Sequence, residues 1–168
     1  MYIEGPVTDS EPSAGAGVKL LLADEADPIL VADSASRVAL DGDLVAWAGS
    51  AEPVLDQPVF DEQVLTATLA DLSPVVLSRP TSGMMGGRFP SAGDGLVAWN
   101  DSEFNANNLA VWDAASNRTF TVSRDGYFFL IAIGGGWITW AIESDATGPE
   151  RELLRGLPVQ EFEQAIGS

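Results

Sequence analysis

The chain of 168 residues carries 25 acidic against 8 basic side chains, a net charge of −17, with Lys19 its single lysine. A surface this anionic repels phosphate backbones and anionic lipid, which excludes nucleic acid and membrane-surface partners. The chain also has no Cys and no His, so disulfides, thiolate nucleophiles, Ser-His-Asp triads and His- or Cys-ligated metals are excluded, leaving carboxylate and oxygen-ligand chemistry.

With 46% hydrophobic residues the chain can bury one sizeable core. Its longest apolar stretches, Val18 to Ala23 and Phe128 to Ile133, are too short to cross a bilayer. Met1-Tyr2-Ile3 reads as the tail of a strand rather than the basic start of a leader, so sequence upstream is expected. Val18 to Ala23, the polar Asp24-Glu25-Ala26-Asp27 and Pro28 to Ala32 then predict a hairpin, giving a partial unit over 1–36.

The next unit, 37–80, runs Arg37-Val38-Ala39-Leu40, a Gly-Asp turn, Leu44-Val45-Ala46-Trp47, a long loop with Pro53 and Pro58, and a hairpin of Val64 to Leu69 and Pro74 to Ser78. A linker holding Met84-Met85 follows, between glycines. The unit 88–126 repeats the plan with Arg88-Phe89-Pro90, Leu96-Val97-Ala98-Trp99, the loop Asp101 to Asn107, Asn108 to Trp112, a turn over 113–118 and Thr119 to Ser123. In the last of these Thr119, Thr121 and Ser123 alternate with Phe120 and Val122, the period of a strand with one wet face. The unit 127–163 offers Tyr127 to Ala132, Trp137-Ile138-Thr139-Trp140, and a predicted hairpin of Arg151 to Arg155 and Val159 to Phe162 around Gly156-Leu157-Pro158. Only Phe162 to Ile166 has any helical spacing, ahead of a short tail over 164–168.

Three phrases tie these units together: Gly42-Asp43-Leu44-Val45-Ala46-Trp47, Asp94-Gly95-Leu96-Val97-Ala98-Trp99 and Gly135-Gly136-Trp137-Ile138-Thr139-Trp140. Trp47 and Trp99 lie 52 residues apart, and Trp99 and Trp140 lie 41 apart. Units of four short strands at such a period predict an all-β chain, a β-propeller of four-stranded antiparallel blades in which each blade covers its neighbours. The second strand of each unit is apolar on both faces, as a strand sandwiched between sheets must be. Three full blades and a partial one make an incomplete ring, because closure takes about four to eight. Two expectations follow: the chain is a piece of a larger propeller, or two chains pair as a homodimer that closes the ring.

The Gly-Asp turn, the strand ending in Trp, the Asn-bearing loop and the Leu-Ala-Val-Trp-Asp strand over 94–123 resemble the TolB-like β-propeller repeats. That resemblance covers 37–163 in three copies and most of a fourth over 1–32. The third copy departs from it, with Thr139 in place of Ala and no Asn cluster in Ala146-Thr147-Gly148-Pro149. It implies a periplasmic or extracellular setting and a role in binding proteins or peptides, or as an accessory to a catalytic domain.

Several side chains are candidates for chemistry. Asp101, Glu103, Asn105 and Asn107 alternate oxygen ligands as the start of a calcium loop does, although the sixth-position Gly is missing and Trp112 stands where the bidentate Glu belongs. The competing reading is an inter-strand loop. Met84 and Met85 form an adaptable apolar tip, or else tuck into a seam between units. Trp112 and Trp137 are available as a binding surface, whereas Trp47, Trp99 and Trp140 share one slot and are expected to pack between sheets. Asp43, Asp94, Asp101 and Glu143 would need to converge to act as an acid/base pair, and nothing in their spacing brings two together. Asn100-Asp101-Ser102 and Asn117-Arg118-Thr119 fit the glycosylation pattern, which arises often by chance. The expected role is therefore a non-catalytic scaffold presenting loops to a protein or peptide, with no required cofactor and Ca2+ as the candidate ion. The alternative is the propeller domain of a hydrolase or carbohydrate-active enzyme that uses acidic residues with a divalent metal. A purely structural spacer is the third class.

Overall fold

Two-residue turns of Gly and Asp fold the second strand back on the first in three of the sheets. A computed structural model of the chain describes residues 2–4, 17–20, 27, 29–32, 35, 37–49, 63–78, 90–103, 106–123, 127–143 and 152–167. The first sheet joins β1 (Tyr2–Glu4), β2 (Gly17–Leu20) and β3 (Ile29–Ala32). The second joins β4 (Arg37–Asp41), β5 (Leu44–Gly49), β6 (Gln63–Thr68) and the short β7 (Val75–Val76). The third joins β8 (Ser91–Gly93), β9 (Leu96–Glu103), β10 (Ala106–Asp113) and β11 (Arg118–Ser123). The fourth joins β12 (Tyr127–Gly134), β13 (Trp137–Glu143) and β14 (Glu152–Pro158), after which comes α1 (Val159–Ile166). Every pairing is antiparallel, and in each sheet the spatial order is the chain order. Among the described residues the chain is all-β apart from α1.

Asp41 pairs with Leu44, Gly93 with Leu96 and Gly134 with Trp137, so each first hairpin closes over two residues. Asp94 and Gly95 sit at φ 52° and 75°, and Gly135 and Gly136 at 59° and 78°. Such positive values at both central positions match the twist of the flanking strands. In the turn of the second sheet Gly42 alone is positive, at φ 56°, the glycine-first form of the same two-residue hairpin.

β5 and the first five residues of β9 are buried on both faces, and their alternation assigns each face to a neighbour. Val45 and Trp47 pack with Val31 and Ala35 beside the first sheet, whereas Leu44, Ala46 and Val64 meet Val97, Trp99, Ala110 and Trp112 of the third. Leu96, Ala98, Leu109 and Val111 in turn meet Ile131, Ile138 and Trp140 of the fourth sheet, with Val159 and Phe162 of α1. The sheets therefore stack face to face in chain order. Trp47 and Trp99 are each 1% exposed. A Trp removes roughly 200 Å2 from water, a gross gain near 5 kcal/mol at about 25 cal/mol/Å2. Against this, the Nε1 donors of Trp99 and Trp140 are buried without an acceptor among the described residues, a cost of about 1–3 kcal/mol each.

The first strands of consecutive sheets also adjoin. The Ile133 amide donates to Ser91 Oγ at 3.0 Å. A Cβ built on Gly93 would stand 2.7 Å from the Ile133 carbonyl oxygen and 2.9 Å from its carbonyl carbon, so only glycine lets β8 and β12 approach this closely. Gly134 occupies the same place in the fourth sheet, yet a Cβ there would meet nothing within 4 Å. Gly93→Ala is accordingly expected to cost about 1–3 kcal/mol through overpacking. Gly134→Ala, which frees no strain but restricts the unfolded chain, should be neutral or stabilising by up to about 1 kcal/mol. Chemical denaturation of the two variants checks both signs.

The hairpin predicted around Gly156-Leu157-Pro158 is not formed. Those three residues complete β14, pairing with Thr139, Ile138 and Trp137, and the residues expected to form the return strand are the start of α1. Gly156 is held extended by its pairing with Thr139 and lies against the Trp137 ring, whose Cε3 would be 3.4 Å from a Cβ there. Val159, Phe162 and Ile166 fall on one helical face, and all three pack against the third sheet's core. Phe162 meets Phe120 edge to face at 5.7 Å between centroids. Gly167, left-handed at φ 77°, ends the helix by donating to the Glu163 carbonyl. The third full unit is thus three strands and a helix.

Candidate functional site

The same hairpin geometry puts a first turn at one end of the second, third and fourth sheets. Each turn is tied to the chain leaving the third strand: Leu69 N–H donates to the Asp43 carbonyl, Ala114 N–H to Gly95 and Val159 N–H to Gly136. Neighbouring sheets are tied by carboxylates, since Asp41 Oδ2 accepts from Gly95 N–H at 3.3 Å and Asp94 Oδ2 from Gly136 N–H at 3.2 Å. Asp94 therefore has a structural use that its sequence position did not announce. At the fourth sheet the series ends, because Gly134 and Gly135 stand where Asp41 and Asp94 stand in theirs.

Two more aspartates at this end hold turns rather than ligands. Asp113 is buried and accepts from Ala115 and Ser116 N–H at 3.0 and 3.1 Å. The exposed Asp71 accepts from Ser73 N–H at 2.9 Å. The Ser73 hydroxyl and then its amide hold the Asp71 carboxyl below its ordinary value. Its ionised form is favoured by folding, so that contribution is present above the unfolded pKa and is lost as pH falls through the lowered one. An NMR titration is expected to find Asp71 below a free aspartate, and Ser73→Ala to return it part of the way.

The carboxylates weighed for acid/base chemistry are divided between two ends. Asp43 and Asp94 lie in the turns, while Asp101 and Glu143 lie near or at the far ends of β9 and β13. Seven residues of strand separate Asp94 from Asp101, roughly 23 Å at about 3.3 Å per residue. Asp43 and Asp94 therefore lie too far from Asp101 and Glu143 for an acid/base pair drawn from both ends.

The calcium-loop candidates fall in a hairpin. Asp101 and Glu103 belong to β9 and Asn107 to β10, with Asp101 opposite Asn108, Ser102 opposite Asn107 and Glu103 opposite Ala106. Asn105 lies outside the described residues. Among the described residues, no group of three or more acidic side chains is placed to hold a metal ion. Met84 and Met85 also lie outside them.

The two tryptophans read as surface residues part company. Trp112 is only 8% exposed, packs in the seam between the second and third sheets, and donates its Nε1 to Asn117 Oδ1 at 3.2 Å. It is a core residue, because its place in β10 faces the second sheet. Trp137 is 49% exposed and shares a face of the fourth sheet with Leu154, 79% exposed and paired opposite Ala141. Leu130, in the irregular part of β12 at φ 52°, is 73% exposed. Leu154 and Leu130 were not singled out from the sequence. Lining up β14 with β6 and β10 would have placed Leu154 in an apolar slot, though not shown it to be open.

The chain matches no protein-family model, and no curated protein is found similar to it. No helix among the described residues is long and apolar enough to cross a membrane.

Proposed function

We propose that the four meanders are blades of a β-propeller and that the chain is a non-catalytic scaffold presenting loops to a protein or peptide partner. The observation that carries this reading is the series of face-to-face sheets whose first strands adjoin, with a turn carboxylate of one sheet gripping the turn of the next twice in succession. Sheets radiating from a common axis put first strands innermost and close together, whereas flat-stacked sandwiches have no such preference. Rigid sheets with their turns aligned at one end are a platform for loop-borne recognition. Asp43, Asp71 and Asp94 are exposed at that end. With a net charge of −17, steering favours a basic segment over an acidic one.

Selection of a displayed random-peptide library on the folded chain tests this. Binders are expected to be basic, to weaken with salt, and to lose at least about tenfold in affinity when Asp43 and Asp71 are both replaced by Lys. Failure to select binders above background, or binders indifferent to changes at the turn end, would count against the scaffold reading.

A further inference from the structure

The open face of the fourth sheet stands out when each of its residues is set beside its equivalents in the preceding sheets. The place held by Trp137 is held by Leu44 and Leu96, which are 5% and 1% exposed, against 49% for Trp137. Leu154 pairs opposite Ala141 as Val64 does opposite Ala48 and Leu109 opposite Asn100. Val64 and Leu109 are 0% exposed, against 79% for Leu154. At both of these places the residue is apolar in all three sheets, but among the described residues only in the second and third does a following sheet cover it.

What covers it is constrained by what covers the others. In both cases the occupant is the face of the following sheet that carries Trp99 or Trp140 on its second strand. In this chain one sheet has the corresponding face without a described neighbour, the first. There Val31 is 7% exposed and turned to the second sheet, while Leu30 beside it is 51% exposed and so turned away. We infer that a second copy of this chain seats its first sheet on the Trp137 and Leu154 face of the fourth sheet, head to tail, so that two four-sheet stacks close into one ring. The inference rests on the propeller reading and names one partner within it. With one face of each kind open among the described residues of each copy, the contact forms twice and closes, and eight sheets lie within the range of about four to eight that rings contain. Each copy bears a charge of −17, so repulsion opposes the pairing and salt should strengthen it, the reverse of an ion-paired interface.

Sedimentation equilibrium of the unmodified chain should give a species of twice 17.7 kDa, whose dissociation constant falls as salt is raised. Trp137→Asp with Leu154→Asp should raise that constant at least about 30-fold. The chain has no cysteine, so a Leu30→Cys chain mixed with a Leu154→Cys chain can be bridged by a short bis-maleimide, and a covalent dimer is expected from the mixture rather than from either variant alone. A folded monomer at all concentrations, an open polymer, or a Leu154→Cys chain that bridges to itself would overturn the inference. If NMR still shows β8 against β12 in that monomer, the propeller reading survives the loss; if it does not, both fall.

Discussion

Replacing Trp99 by Ala is expected to lower the unfolding free energy by about 3–5 kcal/mol, a large part of the roughly 5–15 kcal/mol available to a domain. Trp99 is 1% exposed and sits between two sheets, where it meets Leu44, Ala46 and Val64 from one side of the seam. Its removal leaves a cavity that rigid strands on both sides cannot collapse, so the loss combines transfer and cavity terms. Trp137→Ala provides the contrast: half-exposed on the fourth sheet of a single copy, it should cost about 1 kcal/mol or less when unfolding is measured at concentrations where the chain is monomeric. Urea unfolding followed by circular dichroism reads both, and equal losses would mean that the recurring Trp slots are not what holds the seams.

Phe162→Ala is expected to cost a comparable 3–5 kcal/mol, with a different signature. Phe162 is 4% exposed and is the anchor of α1 on Phe120. An eight-residue helix does not stand by itself in water, so without this anchor it should melt. The far-ultraviolet spectrum should then lose its helical component before the sheets unfold. A helix signal that persists in Phe162→Ala would show that α1 is held by something other than the Phe120 contact.

How much of this was legible in the sequence follows the range of each interaction. The Gly-Asp and Gly-Gly turns were legible because positive φ is a local demand that few residues meet, and the Leu-Val-Ala-Trp runs because a strand covered on both faces must be apolar throughout. The end of the fourth sheet was not. Gly156-Leu157-Pro158 has the composition of a turn, and it is the pairing with β13, 17 to 21 residues back in the chain, that carries it on as strand. Pro158 then suits the residue before a helix as well as it suits a turn, and three apolar residues over 159–166 are too few to separate helix from strand. The site was legible to a similar degree. Trp137 is half-exposed where Trp47, Trp99 and Trp140 are buried, but Trp112 belongs to the seam because its side of β10 faces the second sheet. Asp94 was weighed as a catalytic acid, and its carboxylate instead binds an amide 42 residues further along. Pairings at such separation leave no mark in a local pattern.

The account depends on consecutive sheets meeting along their first strands, and the closest such approach is Gly93 against Ile133. Nuclear Overhauser spectroscopy of the labelled chain should show strong cross-peaks from the Gly93 α protons to the Ile133 γ2 methyl. Four intact antiparallel sheets without those cross-peaks would contradict it.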